Sequence, residues 1–388
     1  MDITIQPGRL RGTIEVIPSK SQAHRYLICA ALADQPTAIR CAETSRDMDA
    51  TAECLTALGA GIQRTNWGYR VTPISQIPKK ANLPCRDSGS TLRFLLPVVG
   101  ALGVDATFQM EGRLPQRPLS PLWEEMERMG CILSRPTPDT IRCSGKLMPG
   151  DYFIDGGVSS QFITGLLFAL SLIQRACDLT IAGKIESMPY INMTREAMGL
   201  FAAPHYRSPG TVTVEGDWSN GAFWLAAKAL GSDLDIRNLN PESPQGDKAA
   251  ATLVKELRKN IEIDASHIPD LVPILAAAAA ANQGAVFRNI ARLRLKESDR
   301  VESTIAMLEA LGGKASVTGG HLVVHGTGLR GGTVHSYNDH RIAMSAAIAA
   351  TVCTQPVTIL GAECVEKSYP KFWAEYARSG GIYEQHLR

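Results

Sequence analysis

The feature that most constrains the fold is a phrase that recurs along the chain: an apolar helix stops at Leu-Gly or Met-Gly and the chain then returns as a strand. A Gly just past the last helical residue is a common helix end, because it adopts the left-handed conformation readily. Gly59, Gly130 and Gly199 fall about 70 residues apart, which is too long for a solenoid repeat. The spacing predicts an α/β protein built from about six such units.

The size and charge of the chain narrow its class. Its 388 residues, of which 45% are hydrophobic, favour two globular domains. Lys and Arg total 40 against 38 Asp and Glu, and no basic run follows the pattern of a nucleic-acid-binding stripe. The most apolar runs, Phe162–Ile173 and Ile268–Ala281, are shorter than the ~20 residues that a spanning helix needs. We expect neither a nucleic acid nor a membrane as partner.

The cysteines indicate the compartment. There are nine of them, scattered, without a Cys-x-x-Cys pair and without a His pair at ligand spacing. This pattern predicts reduced thiols and no structural zinc. The N-terminus runs into the strand-like segment Ile3-Thr4-Ile5 without an apolar signal core, so we expect a cytoplasmic protein.

A cluster of charges stands between a predicted strand, Val286–Ile290, and a predicted helix that follows Arg300. It contains Lys296, Glu297, Asp299 and Arg300. The start of a helix offers unpaired amides to an anion, and a crowded carboxyl group can have a shifted pKa. Taken alone, the cluster is better explained as a solvated helix start with salt-bridged charges. The recurrence of similar clusters favours a binding site.

Three further segments place cations or glycine at helix starts and in rigid loops. Lys20, Ser21 and Arg25 open one helix, and Gly89 lies in a small-residue turn before the predicted helix Phe94–Leu102. Arg117 lies between prolines, where a rigid guanidinium suits carboxylate or phosphate. The alternatives are ordinary helix caps for the first two segments and a surface charge for Arg117.

Uncharged donors precede two more predicted helices. Ser159, Ser160 and Gln161 stand before the helix Phe162–Ile173, while Ser187 and Tyr190 stand before the helix Asn192–Leu200. Each group alone is more typical of a helix cap than of a site.

Asp270 is a lone carboxyl group at the mouth of an alanine-rich helix with apolar neighbours. Partial burial would raise its pKa towards that of a usable base. The alternative, that Asp270 caps the helix, is compatible with that role. Asn338–Arg341 opens a last small-residue helix, and its His340 is better explained as a packed histidine than as a metal ligand. The second half of the chain also predicts a helix over Ala222–Leu230.

Taken in order, these segments resemble the enolpyruvyltransferase family, and within it the 5-enolpyruvylshikimate-3-phosphate synthases, almost from end to end. The resemblance is carried by Lys20-Ser21 with Arg25, Asp87 to Thr91 with Arg93, Leu114 to Pro118, Ser159 to Gln161, Glu215 to Asp217, Lys296 to Arg300, Asn338 to Arg341, and Lys367. The related UDP-N-acetylglucosamine enolpyruvyltransferases have Asn after the first Lys and a reactive Cys before the Arg-Pro pair. Ser21 and Leu114-Pro115-Gln116 stand there in this chain, which disfavours that alternative.

The resemblance implies an α/β fold of two similar domains, each made of three βαβαββ units (an inverse α/β barrel), with the active site in the cleft between the domains. One domain would span residues 20–213, and the other would combine 1–19 with 214–388. One departure stands out: the connection between Leu200 and Val212 is shorter than in the family, so a hairpin or strand is expected to be missing there. A smaller departure is Asp87, where Asn is common.

The implied reaction transfers the enolpyruvyl group of phosphoenolpyruvate to the 5-hydroxyl of shikimate 3-phosphate and releases phosphate, without a cofactor or metal. The resemblance assigns catalysis to Asp270, Glu297 and Lys20. It assigns shikimate 3-phosphate to Lys20, Ser21, Arg25, Ser159, Ser160, Gln161, Ser187, Tyr190, Asp270 and Lys296. It assigns phosphoenolpyruvate to Lys20, Gly89, Arg117, Gln161, Arg300, Arg341 and Lys367.

The sequence disfavours two other functions. A catalytically silent anion-binding relative is disfavoured because simple anion binding needs no carboxylates such as Asp270 and Glu297 beside the ligand. A nucleic-acid-end-processing enzyme of similar architecture is disfavoured by the absence of a basic stripe and a nucleotide loop. We expect a monomeric transferase with small-molecule substrates.

Overall fold

The computed structural model describes residues 1–173 and 175–386. The chain forms two compact units. We call Pro18–Glu215 the continuous unit, and Met1–Ile17 with Gly216–Arg388 the discontinuous unit. The domain ends predicted from the sequence, at residues 20 and 213, lie just inside the ends of the continuous unit.

The chain starts with β1 (Asp2–Ile5) and β2 (Arg11–Glu15), both in the discontinuous unit. The continuous unit follows. Its elements are α1 (Lys20–Ala31), β3 (Thr37–Arg40), α2 (Arg46–Ala57), β4 (Gly61–Thr65), β5 (Gly68–Thr72), β6 (Lys80–Arg86), α3 (Gly89–Leu102), β7 (Asp105–Met110), a 3-10 helix (Leu114–Gln116), α4 (Leu122–Arg128), β8 (Cys131–Ser134), β9 (Thr140–Gly145), β10 (Asp151–Asp155), α5 (Ser160–Ser171), β11 (Asp178–Ala182), α6 (Met188–Leu200) and β12 (Thr211–Thr213).

The rest of the discontinuous unit follows in the chain. Its elements are α7 (Trp218–Ala229), β13 (Asp233–Arg237), a 3-10 helix (Gly246–Ala249), α8 (Ala250–Glu256), β14 (Ile261–Asp264), α9 (Val272–Ala280), β15 (Gly284–Arg288), a 3-10 helix (Ala291–Leu295), α10 (Arg300–Ala310), β16 (Lys314–Thr318), β17 (His321–His325), β18 (Gly332–His335), α11 (His340–Ala350), β19 (Val357–Leu360), a 3-10 helix (Ala362–Lys367), α12 (Phe372–Arg378) and β20 (Tyr383–His386).

The sheets reveal the repeated unit. The sheet order β6-β7-β9-β8 joins a parallel first pair to an antiparallel hairpin, and the sheet β14-β15-β17-β16 has the same pattern. Each follows βαβαββ along the chain. Two more sheets, β12-β3-β5-β4 and β18-β19-β1-β20, reach the same order by taking one strand from a distant part of the chain. The predicted α/β class is confirmed.

Two repeats are incomplete. Among the described residues, the sheets β10-β11 and β13-β2 contain only a parallel pair of strands. The chain passes from α6 to β12, which joins another sheet, and from α8 to β14, which starts the next sheet. The sequence predicted one shortened connection, between Leu200 and Val212. A second, between α8 and β14, was missed because its length alone gave no signal.

Helices α9 and α11 are buried all round, whereas a strand such as β10 has a buried and an exposed face. Every residue of α9 and α11 is buried, and both helices are rich in alanine, which allows close packing on all sides. Strand β10 instead alternates between exposed and buried residues. In α5, Gly165 lies so close to α3 that a β-carbon there would fall 2.2 Å from the carbonyl oxygen of Arg93. In the described part of the chain, no helix is long and apolar enough to span a membrane.

Several helices begin earlier than the sequence predicts. Helix α3 starts at Gly89 and not at Phe94, α7 starts at Trp218 and not at Ala222, and α6 starts at Met188 and not at Asn192. In α3 and α7 the side chain of the N-cap residue, Ser88 or Asp217, accepts a hydrogen bond from the backbone. The prediction counted from the first apolar residue, whereas the cap fixes the actual start.

We expect fast amide exchange along the open edge of β11. Its Asp178 N–H donates to Gly150 and its Ala182 carbonyl accepts from Gly156, so the N–H groups of Leu179 and Ile181 point away from β10. Hydrogen exchange read by NMR should show these two amides exchanging much faster than Phe108 in β7, which has a strand on each side. Protection equal to that of Phe108 would mean that another group covers this edge.

Candidate active site

In the discontinuous unit the predicted charge cluster surrounds the start of α10. The predicted strand Val286–Ile290 ends at Arg288 as β15, and the following residues form a 3-10 helix. Lys296 and Glu297 therefore lie in the link before α10, and not in its first turn. Asp299 caps α10 by accepting hydrogen bonds from the N–H groups of Val301 and Glu302, at 3.1 and 3.2 Å.

The centre of this cluster is Arg300, whose side chain is only 1% exposed. Its Nη1 donates to Asp270 Oδ1 at 2.6 Å, and its Nη2 donates to Glu297 Oε2 at 2.7 Å. Its Nε donates to Asp339 Oδ2 at 2.8 Å. A buried arginine held by carboxylates in several directions is a fixed cation, because rotating it would break charge-assisted hydrogen bonds. The structure thus brings together predicted residues separated by tens of positions in the sequence.

Asp270 lies against three cations. Besides Arg300, Lys296 Nζ and Arg341 Nη2 each lie 3.5 Å from its carboxylate oxygens. Burial by itself would raise the pKa of Asp270, but Lys296, Arg300 and Arg341 outweigh it and hold that pKa well below its usual value. The predicted upward shift is therefore wrong for the protein without ligands. The sequence prediction considered the apolar neighbours of Asp270 and missed the distant cations.

Asp270 is also not a helix cap. Helix α9 starts at Val272, its N-cap residue is Leu271, and no side chain makes a capping hydrogen bond there. The carboxylate of Asp270 is directed to the cations, with 21% of its side chain exposed. The prediction that Asp270 is the N-cap residue of α9 is therefore wrong.

Lys296 has an unusual electrostatic environment. Burial lowers its pKa to about 8, and Asp270 offsets only part of this shift, while Arg300 and Arg292 lower the pKa further. A lysine that loses its proton slightly above neutral pH gives this site a titration within the range of ordinary assays.

Asp339 anchors the cluster, a role that its sequence pattern did not indicate. It is fully buried and caps α11 by accepting a hydrogen bond from the N–H of Arg341 at 2.9 Å. It also accepts hydrogen bonds from Ser298 and Arg300. One carboxylate therefore fixes Arg300 and the first turn that carries Arg341. Its position before His340 and Arg341 at a helix start was the only available signal.

A second carboxyl group missed by the sequence analysis is Asp247, which is 1% exposed. Burial and the negative charge of Asp270 raise its pKa to about 7, against the opposing effects of Ser219 and Arg341. Ser219 donates a hydrogen bond to it, and the carbonyl oxygen of Ser219 accepts from Arg341 Nη1 at 3.0 Å. This carboxyl group is thus linked to the cluster through the residue that holds Arg341.

Lys367 and His340 differ from the other predicted residues. Lys367 is buried at the end of the 3-10 helix Ala362–Lys367. His340 is buried beside Asp339, with 4.0 Å between His340 Nδ1 and Asp339 Oδ1, as expected of a packed histidine. Within residues 1–173 and 175–386, no group of three or more His, Cys, Asp and Glu side chains is arranged to hold a metal ion.

In the continuous unit, Lys20, Ser21 and Arg25 lie in the first turns of α1, as predicted. Lys20 Nζ lies 3.0 Å from Asp47 Oδ2. Arg25 is 2% exposed, and its guanidinium donates to the carbonyl oxygens of Ser21 and Tyr190 at 2.6 and 2.9 Å. The structure therefore brings Tyr190, from α6, to the group that opens α1.

Gly89 and Arg117 are in direct contact. A β-carbon on Gly89 would lie 2.6 Å from Arg117 Nη1, so a larger residue at this position would displace the guanidinium. Arg117 follows the 3-10 helix Leu114–Gln116 and is buried. These residues were both predicted to meet phosphoenolpyruvate, and the structure brings them together.

The start of α5 carries the remaining predicted donors. Ser159 caps the helix by accepting from the N–H of Gln161 at 3.3 Å. The Gln161 side chain accepts from Arg93 Nη1 at 2.8 Å and donates to Ser90 Oγ at 3.0 Å. Gln161 is thereby held towards α3. Ser187 precedes α6 in the left-handed region, at φ 55°, and makes no capping hydrogen bond with its side chain.

Comparison with known proteins gives consistent results. The model of the family EPSP synthase (3-phosphoshikimate 1-carboxyvinyltransferase) matches residues 5–263 and 253–376. A 3-phosphoshikimate 1-carboxyvinyltransferase of Clostridium kluyveri is 39% identical, with 99% of this chain and 98% of the relative covered. One of Clostridium acetobutylicum is 35% identical, with 99% of each covered.

Solved structures share the fold. EPSP synthase from Acinetobacter baumannii superposes with a TM-score of 0.77 at 20% identity, covering 99% of this chain and all of the other. The enolpyruvyl transferase NikO from Streptomyces tendae gives a TM-score of 0.73 at 18% identity, covering 100% of this chain and 99% of the other. This likeness shows the fold, which agrees with the predicted two-domain inverse α/β barrel.

The alignment lengths agree with the incomplete repeats. The Clostridium kluyveri alignment runs over 420 positions, whereas this chain has 388 residues, so at least 32 positions have no residue here. The two family matches overlap at residues 253–263, which include the short connection between α8 and β14.

Proposed function

The chain belongs to the EPSP synthase (3-phosphoshikimate 1-carboxyvinyltransferase) family, and from this premise we propose how its residues carry out enolpyruvyl transfer. The reaction moves the enolpyruvyl group of phosphoenolpyruvate to the 5-hydroxyl of shikimate 3-phosphate, giving 5-enolpyruvylshikimate 3-phosphate and phosphate. It belongs to the shikimate pathway of aromatic amino acid biosynthesis. The alternative acceptor, UDP-N-acetylglucosamine, is not favoured. The observation that carries the proposal is the fixed cation Arg300 with Asp270, Lys296, Glu297 and Arg341 around it.

Each unit would supply part of the substrate contacts. The continuous unit would hold shikimate 3-phosphate through the residues of α1, α5 and α6 described above, with Lys20 also touching phosphoenolpyruvate. Arg117 and the backbone at Gly89 would contact phosphoenolpyruvate as well. The discontinuous unit would supply Lys296 for the 3-phosphate, and Arg300, Arg341 and Lys367 for phosphoenolpyruvate. Each of these groups suits an anion, because it is a cation, a buried donor or an approachable backbone.

Asp270 would accept the proton of the 5-hydroxyl as that oxygen attacks C2 of phosphoenolpyruvate. The surrounding cations make Asp270 a weak base in the protein without ligands, because they lower its pKa. Phosphate and carboxylate groups bound to Lys296, Arg300 and Arg341 would offset those positive charges, so the pKa of Asp270 would rise when the substrates are present. Asp270 would thus become an effective base mainly when both substrates are bound.

Lys20 and Glu297 would handle the proton at the methylene carbon. Addition of the hydroxyl oxygen to C2 delivers a proton to C3 and gives a tetrahedral intermediate. Elimination then removes a proton from C3 and releases phosphate from C2, which restores the double bond. Lys20 is held 3.0 Å from Asp47 and Glu297 is held 2.7 Å from Arg300, so both groups have fixed positions from which to transfer a proton.

Phosphate release tests the function directly. Shikimate 3-phosphate with phosphoenolpyruvate should release phosphate at a catalysed rate, and UDP-N-acetylglucosamine with phosphoenolpyruvate should not. Phosphate release from phosphoenolpyruvate with UDP-N-acetylglucosamine but not with shikimate 3-phosphate would identify the other transferase activity. Binding of both shikimate-pathway substrates without any release would identify a silent anion-binding relative.

The titration of Lys296 predicts a pH dependence. Since its pKa is about 8, kcat/KM for shikimate 3-phosphate should fall as the pH rises above 8, because the free enzyme loses the charge that binds the phosphate. Lys296→Arg should remove this decline at the cost of a lower value at neutral pH, because arginine stays protonated. The measurement is a pH profile of kcat/KM for both proteins. An identical decline in Lys296→Arg would assign the titration to another group.

The cellular setting is also a proposal. All nine cysteines lack disulfide partners, as suits a reducing compartment, and we propose a cytoplasmic enzyme. The two units would be the two enolpyruvyltransferase domains. The monomeric state stays a prediction, and light scattering of the purified protein would check it.

A further inference from the structure

A chain of buried hydrogen bonds runs through the continuous unit beside Lys20. His24 Nδ1 lies 2.7 Å from Thr51 Oγ1, and Thr51 Oγ1 lies 2.7 Å from Thr91 Oγ1. Thr91 Oγ1 then donates to Ser88 Oγ at 2.8 Å. All four side chains are fully buried. Uncharged groups without solvent contact are costly to bury unless they are paired, so these residues hold one another in fixed positions.

The first hydrogen bond of this chain, between His24 and Thr51, joins the same two helices as the ion pair between Lys20 and Asp47. Lys20 and His24 are one turn apart on α1, and Asp47 and Thr51 are one turn apart on α2. The pairs Lys20–Asp47 and His24–Thr51 are therefore successive contacts between the same two helices. We expect a change in the His24–Thr51 contact to alter the spacing of α1 and α2 at Lys20.

The other end of this hydrogen-bond chain, at Ser88, lies at the start of α3. Ser88 caps this helix and accepts a hydrogen bond from the N–H of Thr91 at 3.3 Å. Gly89 is the first residue of the helix and touches Arg117. The same hydrogen bonds that fix α1 against α2 thus also fix the start of α3, where the backbone approaches Arg117.

The protonation of the His24 imidazole favours a single direction of hydrogen-bond donation from His24 to Ser88. Burial lowers the pKa of His24 to about 3, with Asp47 opposing and Lys20 and Arg25 adding to the effect, so the ring is neutral near pH 7. Among the described residues, its Nε2 is buried without a hydrogen-bond partner. A proton on Nδ1 leaves no buried N–H unpaired, and donation then runs from His24 through Thr51 and Thr91 to Ser88.

We infer that His24, Thr51, Thr91 and Ser88 are positioning residues that hold Lys20 and the Gly89 backbone in place for enolpyruvyl transfer. The inference rests on the roles proposed for Lys20 and Gly89. None of the four side chains needs to touch a substrate. Their effect is on the placement of two groups from different helices, where an error of about 1 Å can cost a hundredfold in rate.

The experiment uses Thr51, the central link, in the full-length protein. Thr51→Val keeps the shape and removes the hydroxyl, and Thr51→Ser keeps the hydroxyl. The matched control is Thr37→Val: Thr37 is equally buried in the same unit, and its hydroxyl is 2.7 Å from Ser208 Oγ and outside the chain. We expect Thr51→Val to lower kcat by about tenfold to a hundredfold and to raise KM for phosphoenolpyruvate. Thr51→Ser should recover most of the activity, and Thr37→Val should lose little.

Two kinetic outcomes overturn the inference. If Thr51→Val resembles Thr37→Val in kcat and KM, the chain is only part of the packed core. If Thr51→Ser is as impaired as Thr51→Val, restoring the hydroxyl does not restore activity, and the packing of the whole side chain, not the hydrogen bond, sets the activity. Should Thr51→Val fail to fold, His24→Asn, which keeps a donor near the position of Nδ1, and His24→Leu, which removes it, make the same comparison.

A second readout separates this inference from the reaction itself. Amide exchange in the first turns of α1 and α3 does not depend on turnover. It should be faster in Thr51→Val than in Thr37→Val, and equal exchange overturns the inference. Lack of phosphate release by the unaltered protein would instead count against the proposed function, and the exchange result would still decide whether the chain positions these helices.

Discussion

Asp270→Asn should reduce turnover by roughly two to four orders of magnitude, the usual worth of a general base. The amide keeps the size of the side chain and can still accept the hydrogen bond from Arg300, but it cannot take a proton from the 5-hydroxyl. Steady-state phosphate release at saturating concentrations of both substrates measures the change. Asp264→Asn is the matched control: Asp264 is in the same unit, and its carboxylate accepts hydrogen bonds from Ser266 and Asn289.

Folding of the Asp270→Asn protein should be moderately weakened. The substitution leaves Lys296, Arg300 and Arg341 with less negative charge around them. The loss should stay below the about 3–5 kcal/mol that follows when a fully buried pair is broken, because 21% of the Asp270 side chain is exposed. Near-normal turnover would move the base to Glu297 or Lys20. Lost binding of shikimate 3-phosphate with normal residual turnover would make Asp270 a substrate anchor.

Arg300→Met should have the largest effect on stability. It removes the cation that Asp270, Glu297 and Asp339 share, and it leaves carboxylates buried without their main partner. Such a loss costs about 3–5 kcal/mol of unfolding free energy. Binding of phosphoenolpyruvate should fail as well, because the proposed anion contact is gone. Urea unfolding and binding titrations measure the two effects.

The control for this prediction is Arg294→Met. Arg294 pairs with Asp299 and Glu302, but its side chain is 40% exposed, so its loss should cost less than about 1 kcal/mol. Equal losses of unfolding free energy in the two variants would contradict the special role of the buried pairs.

The pH dependence of stability provides a further check. A carboxyl group whose pKa is lowered in the folded state stabilises that state at pH values above its ordinary pKa. This stabilisation is lost as the pH falls through the lowered pKa. The difference between wild type and Arg300→Met should therefore narrow as the pH falls below about 4.

The sequence allowed prediction of the repeated units, of the presence of the main helices and of the residues that carry the family resemblance, because each depends on local patterns. Runs of alanine and other small residues indicated α9 and α11. The 3-10 helix Ala291–Leu295 could not be read in this way, because its alternating leucines and arginines match a strand as well. Local pattern fixed which segments matter more reliably than their exact bounds.

The electrostatics of Asp270 depend on contacts that no local pattern contains. Ile268, Leu271 and Val272 are its neighbours in sequence and suggested an apolar site. In space its neighbours include Lys296, from the link before α10, and Arg341, from the first turn of α11. The sign of a pKa shift depends on the charges within a few ångströms of the group. A single sequence does not show which charged residues lie that close in space.

The two incomplete repeats also define where this fold tolerates changes in length. Each stops after its second helix, one at α6 in the continuous unit and one at α8 in the discontinuous unit. The four-stranded sheets and the charge clusters are intact in both units, so the terminal hairpin of a repeat is an optional module. The exposed residues before β12 and before β14, at 209–210 and 258–260, are therefore suitable insertion points, where a hairpin or a reporter peptide could be added at a small entropic cost.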